Sequence, residues 1–120
     1  MKKQLRPEIG SILWDVHEHF YYDKAVQIAP LKEYIVTPGE VVDFFEGGYV
    51  EVKLVGDVPG HGRMPRHHKL SDIGKRKVFY TAREAALYAK ELTEKHERTW
   101  AWTKDQPMRR TWERYLEDTP

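Results

Sequence analysis

The chain has 120 residues, of which 20 are Lys or Arg and 19 are Asp or Glu, and its hydrophobic and charged fractions of 40% and 32% are typical of one water-soluble domain. The absence of cysteine excludes disulfides and thiolate metal sites. No apolar run approaches the length of about 18 residues that a membrane-spanning helix needs, and the basic start MKKQLR lacks the apolar core of a secretory signal. We therefore expect a cytoplasmic protein with no membrane contact.

The net charge of the whole chain is close to zero, but individual segments carry charges of opposite sign. Residues 33–57 contain six acids and one lysine, a net charge of −5, whereas residues 61–77 contain six bases and one aspartate, a net charge of +5. Residues 98–115 add five bases against two acids. This asymmetry bears on partners more directly than the net charge of +1 does.

The first predicted element is a half-buried strand over SILWDVH, residues 11–17, in which Ile12, Trp14 and Val16 share one face. The polar and aromatic stretch that follows, residues 17–30, is expected to be a long loop with a short strand at residues 25–28.

Two glycine-containing pairs divide the next segment. Gly47–Gly48 lies between two β-rich runs and predicts a two-residue hairpin turn, because the primed turns of hairpins need positive φ. Pro38–Gly39 would favour an unprimed turn, which matches hairpin twist poorly. We therefore expect a kink there, within one bent strand over residues 33–46.

A turn at Gly47–Gly48 would pair Glu46 with Tyr49 and Phe45 with Val50. Alternation then defines an expected core face, with Asp43 as a misfit that a bulge or an edge position would relieve. The opposite face carries aromatic and charged residues, and is either the wet side of the sheet or a binding face. The expected core residues are Val41, Phe45, Val50, Val52 and Leu54, and the outer ones include Val42, Phe44 and Tyr49.

Short strands at residues 67–70 and 77–80 flank a turn at residues 71–74, and a helix follows. Thr81 and Glu84 have the spacing of a capping box. Four residues, Ala85, Ala89, Leu92 and His96, fall on one helical stripe beside Tyr88, which predicts packing on the sheet.

The last segment is expected to be a separate extension, so that the chain divides into residues 1–97 and residues 98–120. Pro107 suits the first position of a helix. Such a helix is too short to be stable alone, so it must dock on its own domain or on a second chain. Its apolar stripe is Met108, Trp112, Tyr115 and Leu116.

These elements predict an α+β, mainly β fold: a small SH3-like antiparallel barrel, a capped helix and a C-terminal helical appendage. The run LSDIGKRKVFYTAREAALYA, from Leu70 to Ala89, resembles the DIGK-x-VF-x-T-x-E-A ending of small uncharacterised proteins from Gram-positive bacteria, phages and mobile elements. Here Arg76 and Lys77 stand before Val78, where that pattern has one residue. The likeness covers the middle of the chain, concerns a turn, a strand and a capped helix, and implies no activity.

Catalysis and metal binding find little support in the sequence. The histidines of the chain have no spacing that requires zinc, so we expect no metal and no cofactor. Neither Ser11 nor Ser71 lies in a nucleophile motif, paired carboxylates do not stand out, and the glycines form no phosphate-binding pattern. The chain is therefore not expected to be an enzyme.

Binding is the expected function: a protein-interaction module is the first interpretation, and a nucleic-acid-binding module that uses the basic segment 61–77 is the alternative. In the first interpretation the partner is another protein or a second copy of the chain, since Trp and Tyr are preferred interface anchors. In the alternative the partner is nucleic acid, with bases for phosphates and aromatic rings for stacking. The residues predicted for protein binding are Trp100, Trp102, Trp112, Tyr115, Phe44 and Tyr49. Those predicted for nucleic acid are Arg63, Arg66, Lys69, Lys75, Arg76 and Lys77.

Overall fold

The structure is a computed structural model that describes residues 7–21, 31–55, 65–99 and 108–117, with the backbone alone for Leu31. Its strands are β1 (Ile12–Tyr21), β2 (Leu31–Phe45), β3 (Tyr49–Leu54), β4 (Pro65–Lys69) and β5 (Val78–Phe79). Its helices are α1 (Ala82–Thr99) and the single turn α2 (Arg114–Glu117), with 3₁₀ turns at Leu70–Asp72 and Thr111–Glu113. The mainly β, α+β class is confirmed.

The strands form one antiparallel sheet in the order β4-β3-β2-β1-β5. Within the described residues β4 and β5 are the two edges and do not pair with each other, so the sheet is open and the expected closed barrel is not formed. The segment from His17 to Tyr21, expected as a loop, is instead the second half of β1, because it pairs with β2 from Leu31 to Ile35. The strand expected at residues 25–28 lies outside the described residues.

The hairpin is where the sequence places it, but its register differs by one residue. Phe45 pairs with Tyr49, so the turn holds Glu46 together with Gly47 and Gly48, whose φ values are 88° and 80°. Phe44 therefore faces Val50 and packs inward, whereas Phe45 is 43% exposed. The expected inward position of Phe45 is wrong for this reason.

A bulge restores the inward pattern farther along the hairpin. The register shifts between Val41 and Asp43, which makes Val42 the extra residue. Val41 then lies opposite Val52 in the core, and Asp43 lies opposite Glu51, outside it. One strand through Pro38–Gly39 is confirmed, since β2 pairs with β1 without interruption across both residues, and the kink itself stays a prediction.

Side chains pack on both faces of the sheet, so β1 is buried on two sides. One face carries a cluster of five fully buried side chains, with Phe44, Leu70 and Ile73 against it. The other face is covered by α1 and by residues 108–117. The first cluster is Leu13, Val41, Val50, Val52 and Val78, and the second includes Val16, Tyr34, Val36, Phe79, Ala85, Ala86, Ala89, Met108 and Trp112.

Helix α1 begins as the capping box predicts. The Thr81 hydroxyl accepts a hydrogen bond of 3.1 Å from the Glu84 backbone N–H and donates one of 2.9 Å to the Glu84 carboxylate. The three buried alanines of its inner stripe let the helix lie close to the sheet. No helix within the four described ranges is long and apolar enough to cross a membrane.

Residues 108–117 dock on the same chain. Met108 and Trp112 are each 3% exposed, and Tyr115 and Leu116 pack against the cluster beneath α1. The described helical turns begin at Thr111, after three residues without helical structure at 108–110, and Pro107 lies outside the described residues. The expected apolar stripe is therefore in contact with the core, although its first part is not helical.

Candidate functional site

A buried carboxylate lies at the centre of the molecule. Asp15 is fully buried, and its Oδ1 accepts a hydrogen bond of 2.9 Å from Nδ1 of His17, which follows on the same face of β1. Its Oδ2 accepts 2.6 Å and 3.0 Å hydrogen bonds from Nε2 of His68 and Nε of Arg66. His68 and Arg66 belong to β4, three strands away in the sheet order, so the sheet curls far enough for β4 to reach β1.

The pKa of Asp15 depends on two opposing effects, burial and the stabilisation of its negative charge by neighbouring groups. Burial by itself favours the neutral acid, but the hydrogen bonds from His17 and His68 and the charge of Arg66 outweigh it. The pKa of Asp15 therefore lies well below its ordinary value, and the group is an ionised carboxylate at neutral pH. An ionised carboxylate only accepts hydrogen bonds, so Nδ1 of His17 and Nε2 of His68 are the donors.

A cleft opens beside this cluster, where β1 continues past its short neighbour. Strand β5 pairs only with Trp14 and Asp15, so the rest of that edge of β1 has no strand next to it among the described residues. The cleft has a volume of about 450 Å³, within the range of ligand sites. Its lining includes His17, Tyr34, Arg66, Lys77, Tyr88 and Leu92.

Basic side chains and tyrosines surround the opening of this cleft. The Arg66 side chain is 22% exposed and held in place by Asp15. Lys77 has a left-handed backbone, with φ 64°, and its carbonyl accepts a 2.7 Å hydrogen bond from the Val16 N–H. Arg76 forms a 3.7 Å ion pair with Asp72 on the surface. The cleft therefore presents positive charge next to aromatic rings.

The two tyrosines of the cleft are fixed by their neighbours. The Tyr88 ring lies 5.2 Å from the Phe79 ring, and Lys32 lies over the Tyr34 ring at 5.1 Å. Lys32 also forms a 3.0 Å ion pair with Glu18, so it compensates the acid that lines the cleft. Burial raises the pKa of Tyr88, which keeps its hydroxyl protonated at neutral pH.

A second surface, the outer face of β2–β4, has different chemistry. Phe45 and Tyr49 are exposed by 43% and 37% near the hairpin turn. The Phe45 ring meets the His67 ring edge-on at 5.1 Å, and Nε2 of His67 hydrogen-bonds Glu51 at 2.8 Å. This outer aromatic patch, Phe45, Tyr49 and His67, faces away from the Asp15 cluster.

The residues predicted for protein binding do not form one surface. Trp112 is buried in its own chain, the Tyr115 ring packs edge-on against Trp14 at 5.3 Å, and Phe44 points into the core. Tyr49 alone of the described members lies on the outer face with substantial exposure. Trp100 and Trp102 lie outside the described residues.

The residues predicted for nucleic-acid binding are distributed differently. Arg66 and Lys77 both line the cleft, and Lys75 and Arg76 precede Lys77 in an exposed turn. Lys69 is exposed at the end of β4, opposite Tyr49. Arg63 lies outside the described residues. The structure thus brings two of these bases to one site, and shows that Arg66 is held by an ion pair.

Most histidines of the described segments form hydrogen bonds with carboxylates. His17 and His68 hold Asp15, His19 hydrogen-bonds Glu33 at 2.8 Å, and His67 hydrogen-bonds Glu51. Across the residues that the structure describes, no group of three or more His, Asp or Glu side chains is arranged to hold a metal ion. His61 lies outside this part of the chain.

Sequence reasoning missed Asp15, the centre of the site. The indication in the sequence was a charged residue between Trp14 and Val16 within a predicted strand. Strict alternation places such a residue on the solvent face of the sheet. In the structure both faces of β1 are covered, so that position is buried and must be paired.

Comparison of the chain with protein-family models, with curated proteins and with solved structures finds no match.

Proposed function

We propose that this chain is a cytoplasmic, non-enzymatic nucleic-acid-binding module with an SH3-like curled sheet, which holds a single strand in the cleft between β1, β4 and α1. The observation that supports it best is the geometry around Arg66. This arginine is held by buried Asp15 in a cleft that it shares with Lys77 and Tyr88. A guanidinium fixed in advance loses little side-chain entropy when it binds a phosphate.

The net attraction for phosphate would come mainly from the neighbouring turn. Asp15 balances the charge of Arg66, but Lys75, Arg76 and Lys77 stand together against one acid, Asp72. Consecutive exposed bases beside a cleft steer a polyanion toward it. Arg66 would therefore supply a directional contact with a phosphate, and the basic turn would supply most of the electrostatic attraction.

The aromatic lining favours a single strand over a duplex. Tyr34 and Tyr88 both line the cleft, Tyr34 as a buried residue and Tyr88 as a partly buried one. A ring face can stack on an unpaired base, whereas the bases of a duplex are already stacked on their neighbours. Stacking on a tyrosine contributes about 1–3 kcal/mol per base. A flexible strand could place one base in the cleft and its phosphates on the basic turn.

The location of the C-terminal aromatic residues weakens the alternative of a protein-interaction module built on the tail. Trp112 and Tyr115 are in contact with their own core, so they are not presented as interface anchors. A protein partner would have to use another surface, such as the outer aromatic patch.

The proposal is tested by fluorescence anisotropy with labelled oligo-dT and oligo-U over a range of salt concentrations. Lys77→Asn removes the charge, and asparagine tolerates the left-handed backbone at this position. We expect weaker binding and a slope of log K against log salt that is shallower by about 0.7 for each lost phosphate contact. Lys95→Gln, on an exposed position of α1, is the matched control and should bind normally.

A second variant separates stacking from charge. Tyr88→Leu keeps an apolar side chain next to Phe79 but removes the ring, so it should weaken binding by about 1–3 kcal/mol with an unchanged salt slope. Absence of binding to both oligonucleotides at low salt, or equal effects of Lys77→Asn and Lys95→Gln, would contradict the proposal.

A further inference from the structure

Strand β4 has an edge whose peptide groups point away from the sheet. The Leu70 N–H donates a 2.7 Å hydrogen bond to the Gly48 carbonyl, which fixes the alternation along the strand. His68 and Arg66 therefore direct their backbone groups toward β3, where they pair with Val50 and Val52. The N–H and C=O groups of His67 and Lys69 point the other way, and no described strand lies beside them.

Proline limits how much of this edge is usable. Pro65 begins β4 and has no N–H, so the edge offers the two donors of His67 and Lys69 together with nearby carbonyls. A strand added here would be short, and most of its affinity would have to come from side-chain contacts.

Side chains suited to such contacts lie on the adjoining face of the sheet. Phe45, Tyr49 and His67 form the outer aromatic patch beside the edge, with exposed fractions of 43% and 37% for the first two. Such exposed aromatic rings are good anchors for a bound peptide. Every second side chain of an added strand would project onto the same face as this patch.

The charge of that face selects the partner. It carries the acids Glu40, Asp43 and Glu51 and the bases Lys53 and Lys69, and Glu46 is exposed in the adjoining turn, which gives four negative and two positive charges, a net of −2. A basic segment is therefore favoured over an acidic one. Arg66 of β4 lines the basic cleft, but alternation directs its side chain to the opposite face of the sheet from the outer aromatic patch.

We propose that the edge of β4 binds an extended, basic segment of a partner protein as an added β-strand, anchored on the outer aromatic patch. The probe for a test is a synthetic peptide in which Lys and Val alternate. The controls are a Glu–Val peptide of equal length, which has the wrong charge, and a Lys–Pro peptide, which has the right charge but cannot pair as a strand.

The readout is the NMR spectrum of the full chain, with amide hydrogen exchange. The Lys–Val peptide should shift the His67 and Lys69 amides and slow their exchange, and the two control peptides should not. Phe45→Ser should weaken binding of the Lys–Val peptide at least about fivefold. Leu87→Ser, at a 46% exposed position of α1, should leave it unchanged, as should Lys77→Asn in the cleft.

Three outcomes would overturn the proposal. One is equal binding of the Glu–Val or Lys–Pro peptide. Another is a set of shifted amides that excludes His67 and Lys69. The third is protection of these two amides without any peptide together with a doubled mass by light scattering, which would mean that a second copy of the chain occupies the edge. Because Phe45 is exposed, an unchanged circular dichroism spectrum for Phe45→Ser verifies that the variant is folded.

Discussion

The indole N–H of Trp112 donates a hydrogen bond of 3.1 Å to the hydroxyl of Thr93, and both side chains are buried. The same hydroxyl donates a hydrogen bond of 2.7 Å to the Ala89 carbonyl one turn earlier in α1. Around this contact, Arg110 forms a 2.6 Å ion pair with Glu97, and the Met108 N–H donates to the same carboxylate at 3.1 Å. Residues 108–117 are therefore joined to α1 by directional polar bonds as well as by apolar contact.

Loss of the Trp112–Thr93 bond should be measurable by denaturant unfolding. Thr93→Val leaves the buried indole N–H without this acceptor, so we expect the free energy of unfolding to fall by about 1–3 kcal/mol. Trp112→Phe should cost a similar or larger amount through lost volume. In the double variant the loss should be smaller than the sum of the two, because each single change removes the same bond.

Removing the side chain altogether tests where the tail docks. Trp112→Ala should lower the free energy of unfolding by about 3–5 kcal/mol, as large-to-small changes in a core do. The mass by light scattering should equal that of the unchanged chain. A variant with unaltered stability and a reduced mass would show that Trp112 packs against a second chain.

Asp15→Asn should be one of the most damaging single changes. It removes the buried carboxylate that pairs with the partly buried guanidinium of Arg66, and breaking a buried pair in this way costs about 3–5 kcal/mol. The measurement is urea unfolding at neutral pH. Asp72→Asn is the matched control, because its ion pair with Arg76 is on the surface and contributes at most about 1 kcal/mol.

The same substitution predicts a pH dependence. In the folded chain the pKa of Asp15 lies below its ordinary value of 3.8, so the unfolded chain takes up this proton first as the pH falls. The stabilisation from ionised Asp15 is therefore complete above that ordinary value and is lost on acidification toward the lower folded pKa. The stability difference between the unchanged chain and Asp15→Asn should shrink in acid, and a difference that stays constant down to the acid transition would refute this assignment.

Gly39→Ala tests the close approach of β2 and β3 at Gly39. A Cβ at this position would lie 3.3 Å from Cδ2 of Leu54 and 3.3 Å from Cβ of Val52, two buried side chains. We expect a loss of about 1–3 kcal/mol in thermal or urea unfolding, as for other overpacked cores. Gly10→Asn is the control, since nothing lies within 4 Å of its Cβ position and asparagine tolerates the positive φ of 91°. Equal losses for the two variants would disprove the steric explanation.

Local signals in the sequence predicted the parts of the fold that depend on neighbouring residues. The turn glycines, the continuation of one strand through Pro38–Gly39 and the cap at Thr81 are each decided within a few residues, and all three are found in the structure. The register of the hairpin is decided by one extra residue at the turn and one at Val42. The misfit of Asp43 in the alternation indicated a bulge near Val42, but alternation does not indicate the extra residue at the turn.

The candidate site could be predicted only in part, because it depends on contacts between distant strands. The basic character of residues 61–77 was visible, but the ion pair between Arg66 and Asp15 joins positions 51 residues apart. Likewise the aromatic residues of the tail had the composition of an interface, and only the structure shows Trp112 against Thr93. Burial of a charge by curling of a sheet is a tertiary property that no local pattern encodes.

The docking of residues 108–117 also sets the order in which the chain can complete its fold during synthesis. Trp14 is made early, and its ring partner Tyr115 follows 101 positions later, so the cluster beneath α1 stays open at one side until the last of these residues has left the ribosome. Contacts of such long sequence separation form slowly. Val16, Tyr34 and Val36 then remain accessible to chaperones or to proteases in a nascent chain, and a product that stops before Met108 would keep that exposed surface permanently.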